Sequence, residues 1–485
     1  MSVQFPVGTH PLANELNKRM LDIASRHGYR IYIVGGFLRD ALIYKQVGTA
    51  KDIDYAVEKN NQDERSALSL ARLAANELDG HFVLLDETND TARVVLKTGE
   101  GLDFAGCQGG DIKADVWRRD YSINALVWNP ATPDEIIDYV DGVKDIASLT
   151  IRAISEKSIV EDPLRILRAF RFASYLGGFI EQKTIEWITA HRDLLKNVAS
   201  ERVNYELFLT LAQIKCAREV EQMASSGVLE AIFPELKETR RVTANAFHHL
   251  ALFEHSVDTV PQLEAIYPTV DAWVRESAES ELAFAVSKLA ATKLACLLHD
   301  IGKPQTWEIQ PDGRHSFFGH DKIGADMCEV IAERMKWASS VSKLIVHLVR
   351  WHLRPGALFH HGVPTDRAIA RFYRSMGDDL PELMLLAFAD FGATRGPGLM
   401  GENRKHQEES LMGLLNGYPA YREAARQRVK LLNGNDVMQL LSLKPGPVIG
   451  QILEALEEAQ EFKEVLDRSD AERFVKKHFA EKYSN

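Results

Sequence analysis

The stretch Ile31–Val57, IYIVGGFLRDALIYKQVGTAKDIDYAV, constrains this chain more than any other. It opens on an apolar, β-branched run, Ile31–Val34, that reads as a buried strand. Gly35 and Gly36 follow and lead into a helical segment, Phe37–Tyr44. Two glycines between a strand and a helix let the backbone approach a phosphate closely, and the helix N-terminus aims N–H groups at it. The run DIDYAV then reads as a second strand, on which Asp52 and Asp54 share one face while Ile53 points to the core. Two carboxylates on one face beside such a turn form the arrangement that holds Mg²⁺ for phosphoryl or nucleotidyl transfer. Each motif alone also fits a plain turn or a solvated strand end. The two in this order are far more specific.

A chain of 485 residues is expected to divide into three or four units. No apolar run approaches the length of a membrane span, and the first residues, MSVQFPVGTHPLANEL, lack a leader pattern, so a cytoplasmic protein with no membrane association is expected. Cys107, Cys216, Cys296 and Cys328 show no CxxC spacing, which points to neither a disulfide framework nor a zinc site. The net charge of −11 does not favour a nucleic-acid partner. Phosphate contacts are local, however, and basic side chains gathered in one groove suffice.

Along the chain, helices are expected at Pro11–His27 and Asp63–Leu78, with strands at HFVLLD, ARVVLK and LDFAG, which together make a small α/β head. In WRRDYSINALVW (117–128), the guanidinium of Arg119 suits phosphate oxygens, although a surface ion pair is the plainer reading. The segment Asp138–Asp145, D-x-x-x-G-x-x-D, reads as a hinge. In EDPLRILRAFRF (161–172), Asp162 and Pro163 are helix-start residues, and Arg165, Arg168 and Arg171 form one basic ridge beside Leu164, Leu167 and Phe170. Ser200–Glu206 reads as a helix-start box with an i,i+4 pair.

GG-x-x-RD followed by D-x-D, then RRD-Y-S-INAL, then E-D-x-x-R, resembles the signature of the polymerase-β-like nucleotidyltransferases, in particular the bacterial class II tRNA nucleotidyltransferase and poly(A) polymerase family. The resemblance implies an α+β head (1–150), an all-α neck for base and RNA recognition (151–228), an HD-type helical body (229–400) and a helical, tRNA-binding tail (401–485). It implies that Asp52 and Asp54 hold Mg²⁺, that Gly36, Arg39 and Arg119 hold phosphates or ribose, and that Arg168 and Arg171 support the triphosphate. Asp103, in LDFAG, is a candidate third carboxylate. Asp162 and Arg165 would read the base: a carboxylate accepts from the amino group of cytosine or adenine while a guanidinium donates to the neighbouring ring nitrogen. Uracil and guanine present the opposite polarity. The implied activity is template-independent addition of CCA to tRNA from CTP and ATP. Only Gly106–Trp117 separates LDFA from Arg118, where CCA-adding members carry a longer flexible loop, so addition of CC alone is a variant expectation. A poly(A) polymerase, or a phosphohydrolase using the head as an RNA-binding module, are the alternatives.

From about residue 230, His255, His299-Asp300 (in LLHDIGKP), His320, His352 and Asp390 make an H…HD…H…H…D series. His and Asp are ordinary ligands for divalent cations, and a helical bundle can converge them from different helices. The series resembles the HD phosphohydrolase superfamily, which implies a second site for a divalent transition metal, either active or structural. In the tail, Lys444-Pro-Gly-Pro447 stands before an amphipathic helix; such a start can hold an RNA phosphate or be only a helix start. Arg422, Arg426, Arg428 and Lys430 lie nearby in sequence. Either a monomer or a homodimer is compatible with the sequence.

Overall fold

A computed structural model describes residues 2–5, 9–46, 52–58, 65–243, 250–311, 314–360, 362–395 and 402–483. They form two compact units: Met1–Lys237 with Phe284–Val286 and Ile331–Trp337, and Glu238–Ala283 with Ser287–Val330 and Ala338–Asn485.

The first unit is built on an eight-stranded mixed sheet. Its strands are β1 (Ser2–Gln4), β2 (Ile31–Val34), β3 (Asp52–Val57), β4 (Gly80–Asp86), β5 (Thr91–Leu96), β6 (Gly101–Gly106), β7 (Val127–Trp128) and β8 (Glu135–Ile137), in the spatial order β1-β8-β7-β2-β3-β6-β5-β4. Only β3 and β6 run parallel; the other neighbours are antiparallel. The central strands are apolar on both faces: all four residues of β2 are buried, and Tyr32, Val34, Ala56 and Val127 share a core with Ile112 and Val116.

Helix α1 (Glu15–Arg26) is shorter than the predicted Pro11–His27. Asn14 interrupts it, because its side chain accepts from the Asn17 N–H and caps α1, leaving Pro11–Ala13 as a separate 3₁₀ turn. Helix α2 (Gly36–Tyr44) follows the glycine pair, and α3 (Ala67–Glu77) starts at a Ser66 capping box rather than at Asp63, which lies outside the described residues. Helix α4 (Ile112–Trp117) precedes the RRD segment, and α5 (Gly142–Ala147) occupies the stretch read as a hinge. That stretch is tied down: Asp138 accepts from the N–H groups of Val140, Gly142 and Val143 at 3.1, 2.9 and 2.9 Å, and Asp145 accepts from Ser122 Oγ and Arg152 Nε.

The neck comprises α6 (Glu156–Glu161), α7 (Arg165–Leu176), α8 (Gln182–His191) and α9 (Ser200–Leu211). Asp162, a helix-start residue by sequence, does not open α7; it closes α6 and begins the turn between the two helices. Its Oδ1 accepts weakly from Leu164 N–H at 3.3 Å. Ser200 does not cap α9 either; its hydroxyl donates to the Arg334 carbonyl at 3.2 Å.

The second unit is helical, with a short antiparallel pair, Glu308–Ile309 against His315–Ser316. Helices Leu252–Ile266, Lys288–Leu298, Ser339–Trp351 and Leu380–Ala393 pack on one another, and Lys288–Leu298 is buried from Leu289 through Leu298. A helix buried on every side belongs at the centre of a bundle, and here the burial includes Lys293, whose Nζ lies 2.9 Å from Glu264. The last three helices, Gly434–Leu441, Pro447–Glu461 and Arg468–Tyr483, enclose a small core of their own that includes Val437, Ile452, Leu456 and Val475. Among the described residues, no helix is long and apolar enough to cross a membrane.

Candidate active site and a second metal-type centre

The turn after β2 and the start of β3 converge on one point. Gly35 adopts φ +75° and ψ −143°, a region open to glycine alone. A Cβ there would also meet Asp54 Oδ2 at 2.5 Å. The glycine therefore serves both the turn and the carboxylate, which accepts from the Gly36 N–H. Asp52 and Asp54 lie on the same face of β3, with Ile53 buried behind them. In the parallel β3–β6 register Asp54 stands beside Asp103 and Asp52 beside Gly101. Burial, and then the charge of Asp103, push the Asp54 carboxyl above its ordinary pKa, against the opposing pull of Arg119. Three carboxylates crowded on adjacent strands, two of them half-buried, form a hard-oxygen cradle that a divalent cation neutralises, so these residues fit Mg²⁺.

One basic side chain already spans this cradle. Arg93 on β5 donates from Nε and Nη2 to both oxygens of Asp103 at 2.8 and 2.9 Å, and its Nη2 lies 2.9 Å from Asp52 Oδ1.

The arginines of the ridge are engaged with internal partners rather than solvated. Arg168 donates to Asp120 Oδ2 from Nε and Nη2, at 2.9 and 2.6 Å, and Arg171 donates to Glu206 Oε2 at 2.5 Å. Arg39 is buried and donates to Asp40 and Asn124, each at 2.7 Å. The guanidinium groups of Arg39, Arg168 and Arg171 surround the Phe172 ring at 5.3, 5.2 and 4.3 Å from its centroid. Arg119 pairs with Asp115 at 2.9 Å. Arg165 donates from Nη1 to the carbonyls of Arg119 and Ser158, and Asp162 Oδ2 pairs with Arg202 at 3.2 Å.

In the second unit all six residues of the H…HD…H…H…D series come together. His255 Nε2 lies 3.2 Å from Asp390 Oδ1; His299 Nε2 lies 3.1 Å from Asp300 Oδ2; His320 and His352 Nε2 lie 3.2 and 3.5 Å from Asp300 Oδ1. Two groups with metal-ligand spacing result, His255/His299/Asp300 and Asp300/His320/His352, which share the Asp300 carboxylate. The Nδ1 atoms of His299, His320 and His352 face the carbonyls of Cys296, Phe317 and Val349 at 2.8, 2.7 and 2.6 Å. A carbonyl only accepts, so each Nδ1 carries the proton, and in the neutral ring Nε2 presents a lone pair inward. The lone pairs of His320 and His352 meet at 3.2 Å, an arrangement that requires a proton or a cation between them. This donor set fits a divalent metal. A cavity of about 390 Å³ opens on it, lined by Lys303, His360, Phe391 and Gln407 among others, and Lys303 Nζ lies 2.6 Å from Asp300 Oδ2.

Comparison with known proteins agrees with both halves. Residues 31–152 match the poly(A) polymerase head domain, 179–239 the probable RNA and SrmB-binding site of polymerase A, and 252–390 the HD domain. The A-adding tRNA nucleotidyltransferase of Deinococcus radiodurans is 32% identical over 452 residues, covering 92% of this chain and 94% of that protein. The chain belongs to the tRNA nucleotidyltransferase and poly(A) polymerase family. The family's CC-adding tRNA nucleotidyltransferase from Geobacter sulfurreducens is 31% identical over 459 residues, covering 94% of this chain and 93% of that one. In fold the chain resembles the Thermotoga maritima CCA-adding enzyme solved with tRNA, with TM-score 0.61, 22% identity and 95% and 94% of the two chains covered.

The sequence named Asp52, Asp54 and the six residues of the H…HD…H…H…D series, with Asp103 as a candidate, and the fold brings each set together. Sequence patterns missed Arg93, Asp115, Asp120, Asn124 and Lys303. Arg93 had one faint signal, a charged residue in the otherwise apolar strand ARVVL whose neighbours alternate in burial. The partners of the ridge had none, because Asp120 and Arg168 are 48 residues apart.

Proposed function

We propose that the chain extends the 3′ end of tRNA by template-independent nucleotidyl transfer from CTP and ATP, or from CTP alone. The observation that carries this reading is the placement of Asp52, Asp54 and Asp103 on adjacent strands against the Gly35–Gly36 turn. Mg²⁺ held by Asp52 and Asp54 would supply activation of the 3′-hydroxyl and neutralisation of the triphosphate. The chain's own residues do the rest. The turn at Gly36 and the nearby guanidinium of Arg119 receive phosphate oxygens, and the half-buried Asp120–Arg168 and Arg171–Glu206 pairs hold α7 so that Arg165 and Asp162 face the base. The head (1–150), neck (151–228), HD body (229–400) and tail (401–485) divide catalysis, base reading, a second metal centre and tRNA binding between them. All four cysteines are buried thiols, in keeping with a cytoplasmic setting.

Addition of CC alone is a variant of this activity. The connection Gly106–Trp117 holds no long loop: it is a turn and helix α4, whose Asp111 caps the Ala114 N–H at 2.7 Å and whose Asp115 accepts from Gln108 N–H. Transcripts of tRNA lacking CCA, given Mg²⁺ with CTP, ATP or both, test this. Arrest after two added residues, with a CC-ended transcript refusing ATP, means addition of CC alone. Three residues mean full CCA addition, and a single A on CC-ended tRNA means an A-adding enzyme.

The second centre supports a second reading, a phosphohydrolase using a divalent transition metal. Two ligand groups sharing Asp300, beside a cavity carrying Lys303, suit a phosphate ester. Release of phosphate from small phosphoesters with Ni²⁺ or Mn²⁺, lost in Asp300→Ala, tests it.

A further inference from the structure

We infer that Arg93 is a built-in counter-ion of the catalytic carboxylates, a positioning residue that anchors Asp103 and competes with the incoming cation for Asp52. The inference rests on the reading of Asp52 and Asp54 as cation ligands.

Three observations carry it. Arg93 stands directly opposite Asp103 in the β5–β6 register, and its fork takes both carboxylate oxygens, so Asp103 is gripped in one orientation. The same Nη2 reaches Asp52 Oδ1 at 2.9 Å, across the position of Gly101. Gly101 makes that reach feasible: a Cβ there would lie 2.2 Å from Asp52 Oδ1 and 3.4 Å from Arg93 Nε and Cζ. A residue with any side chain at 101 would close the lane between guanidinium and carboxylate.

The consequence is a specific exchange. A cation held by Asp52 and Asp54 would compete with Arg93 for the charge of Asp52, while the two bonds to Asp103 keep the guanidinium close. The bare cation then meets a like charge a few ångströms away and binds weakly. A cation that arrives with a triphosphate brings the negative charge that Arg93 can turn to instead. Arg93 thereby ties occupation of the carboxylates to arrival of the nucleotide.

Mn²⁺ binding without nucleotide, followed by electron paramagnetic resonance, tests this in the full-length chain. The Asp300→Asn background removes the second centre's contribution, and Asp54→Asn defines the head signal. Replacing Arg93 by Gln is expected to tighten the Mn²⁺ Kd by about tenfold, because a like charge near the ion is removed. Arg93→Met keeps an apolar stem on the strand and tightens it likewise, should the Gln variant fold poorly. Arg93→Lys restores the charge and returns the Kd toward that of Arg. The coupling appears as a second readout: prior addition of a non-hydrolysable CTP analogue improves Mn²⁺ affinity more when Arg93 is present than in the Arg93→Gln variant. An unchanged or weaker Kd in both neutral variants, with the head signal present, overturns the inference alone. A head signal that Asp54→Asn does not abolish overturns the ligand reading as well.

Discussion

Asp120 and Arg168 are joined through a single carboxylate oxygen, which accepts from Nε at 2.9 Å and from Nη2 at 2.6 Å. The pair links the RRD segment to α7, and Asn124 and Arg39 continue it toward the glycine turn. Burial would raise the Asp120 pKa, but Arg168 and the Tyr121 N–H outweigh it and bring it down to about 2. A depressed carboxyl contributes stability above its unfolded value and loses it as pH falls through the folded one. The contribution, about 2 kcal/mol, should be complete above about pH 4 and disappear toward pH 2. Thermal melts of wild type and Asp120→Asn across pH 2 to 6 should therefore converge at the acid end and separate above pH 4, with the variant less stable.

Asp52→Ala and Asp54→Ala should each abolish nucleotide addition, by roughly a thousandfold or more, while leaving any phosphohydrolase activity of the second unit intact. Gel-resolved extension of tRNA, alongside phosphate release from a small ester, separates the two. Continued extension by either variant would place the catalytic carboxylates elsewhere.

Gly35 and Gly36 should respond differently to alanine. At Gly35 the backbone region excludes a Cβ and the new atom meets Asp54 Oδ2, so Gly35→Ala should cost on the order of 2 kcal/mol and most of the activity. At Gly36 the nearest atom is the guanidinium end of Arg39, 3.4 Å away, and stability should change far less. Urea unfolding and extension rates check both.

Arg165→Ala should relax base choice. If Arg165 donates to the ring nitrogen, its loss should narrow the preference for CTP over UTP by roughly 10- to 100-fold, measured as the ratio of kcat/KM values. A uniform fall for both nucleotides would assign Arg165 to scaffold alone.

Adding Ni²⁺ or Mn²⁺ at about a hundred times Kd should raise the unfolding temperature of the second unit by roughly 5 to 10 °C. Asp300→Ala, which removes the carboxylate shared by both ligand groups, should abolish the rise and lower the metal content after dialysis.

By itself the sequence determined what depends on near neighbours. Period-two alternation places Asp52 and Asp54 on one face, the glycine pair marks the turn, and the residue types of the H…HD…H…H…D series name a ligand set. Each of these is set within a few residues of backbone, where strand and turn geometry leave little choice. Tertiary structure decided which charges meet. The ridge of Arg165, Arg168 and Arg171 reads as solvated or phosphate-facing from its spacing, yet Asp120 and Glu206 hold two of its members, and the third bonds to carbonyls. Asp162 reads as a cap and instead pairs with Arg202. Arg93 lies one strand from Asp103 and two from Asp52 only because the sheet order is β3-β6-β5. Charges act through space over a few ångströms, and which groups come that close is settled by strand order and helix packing rather than by position along the chain.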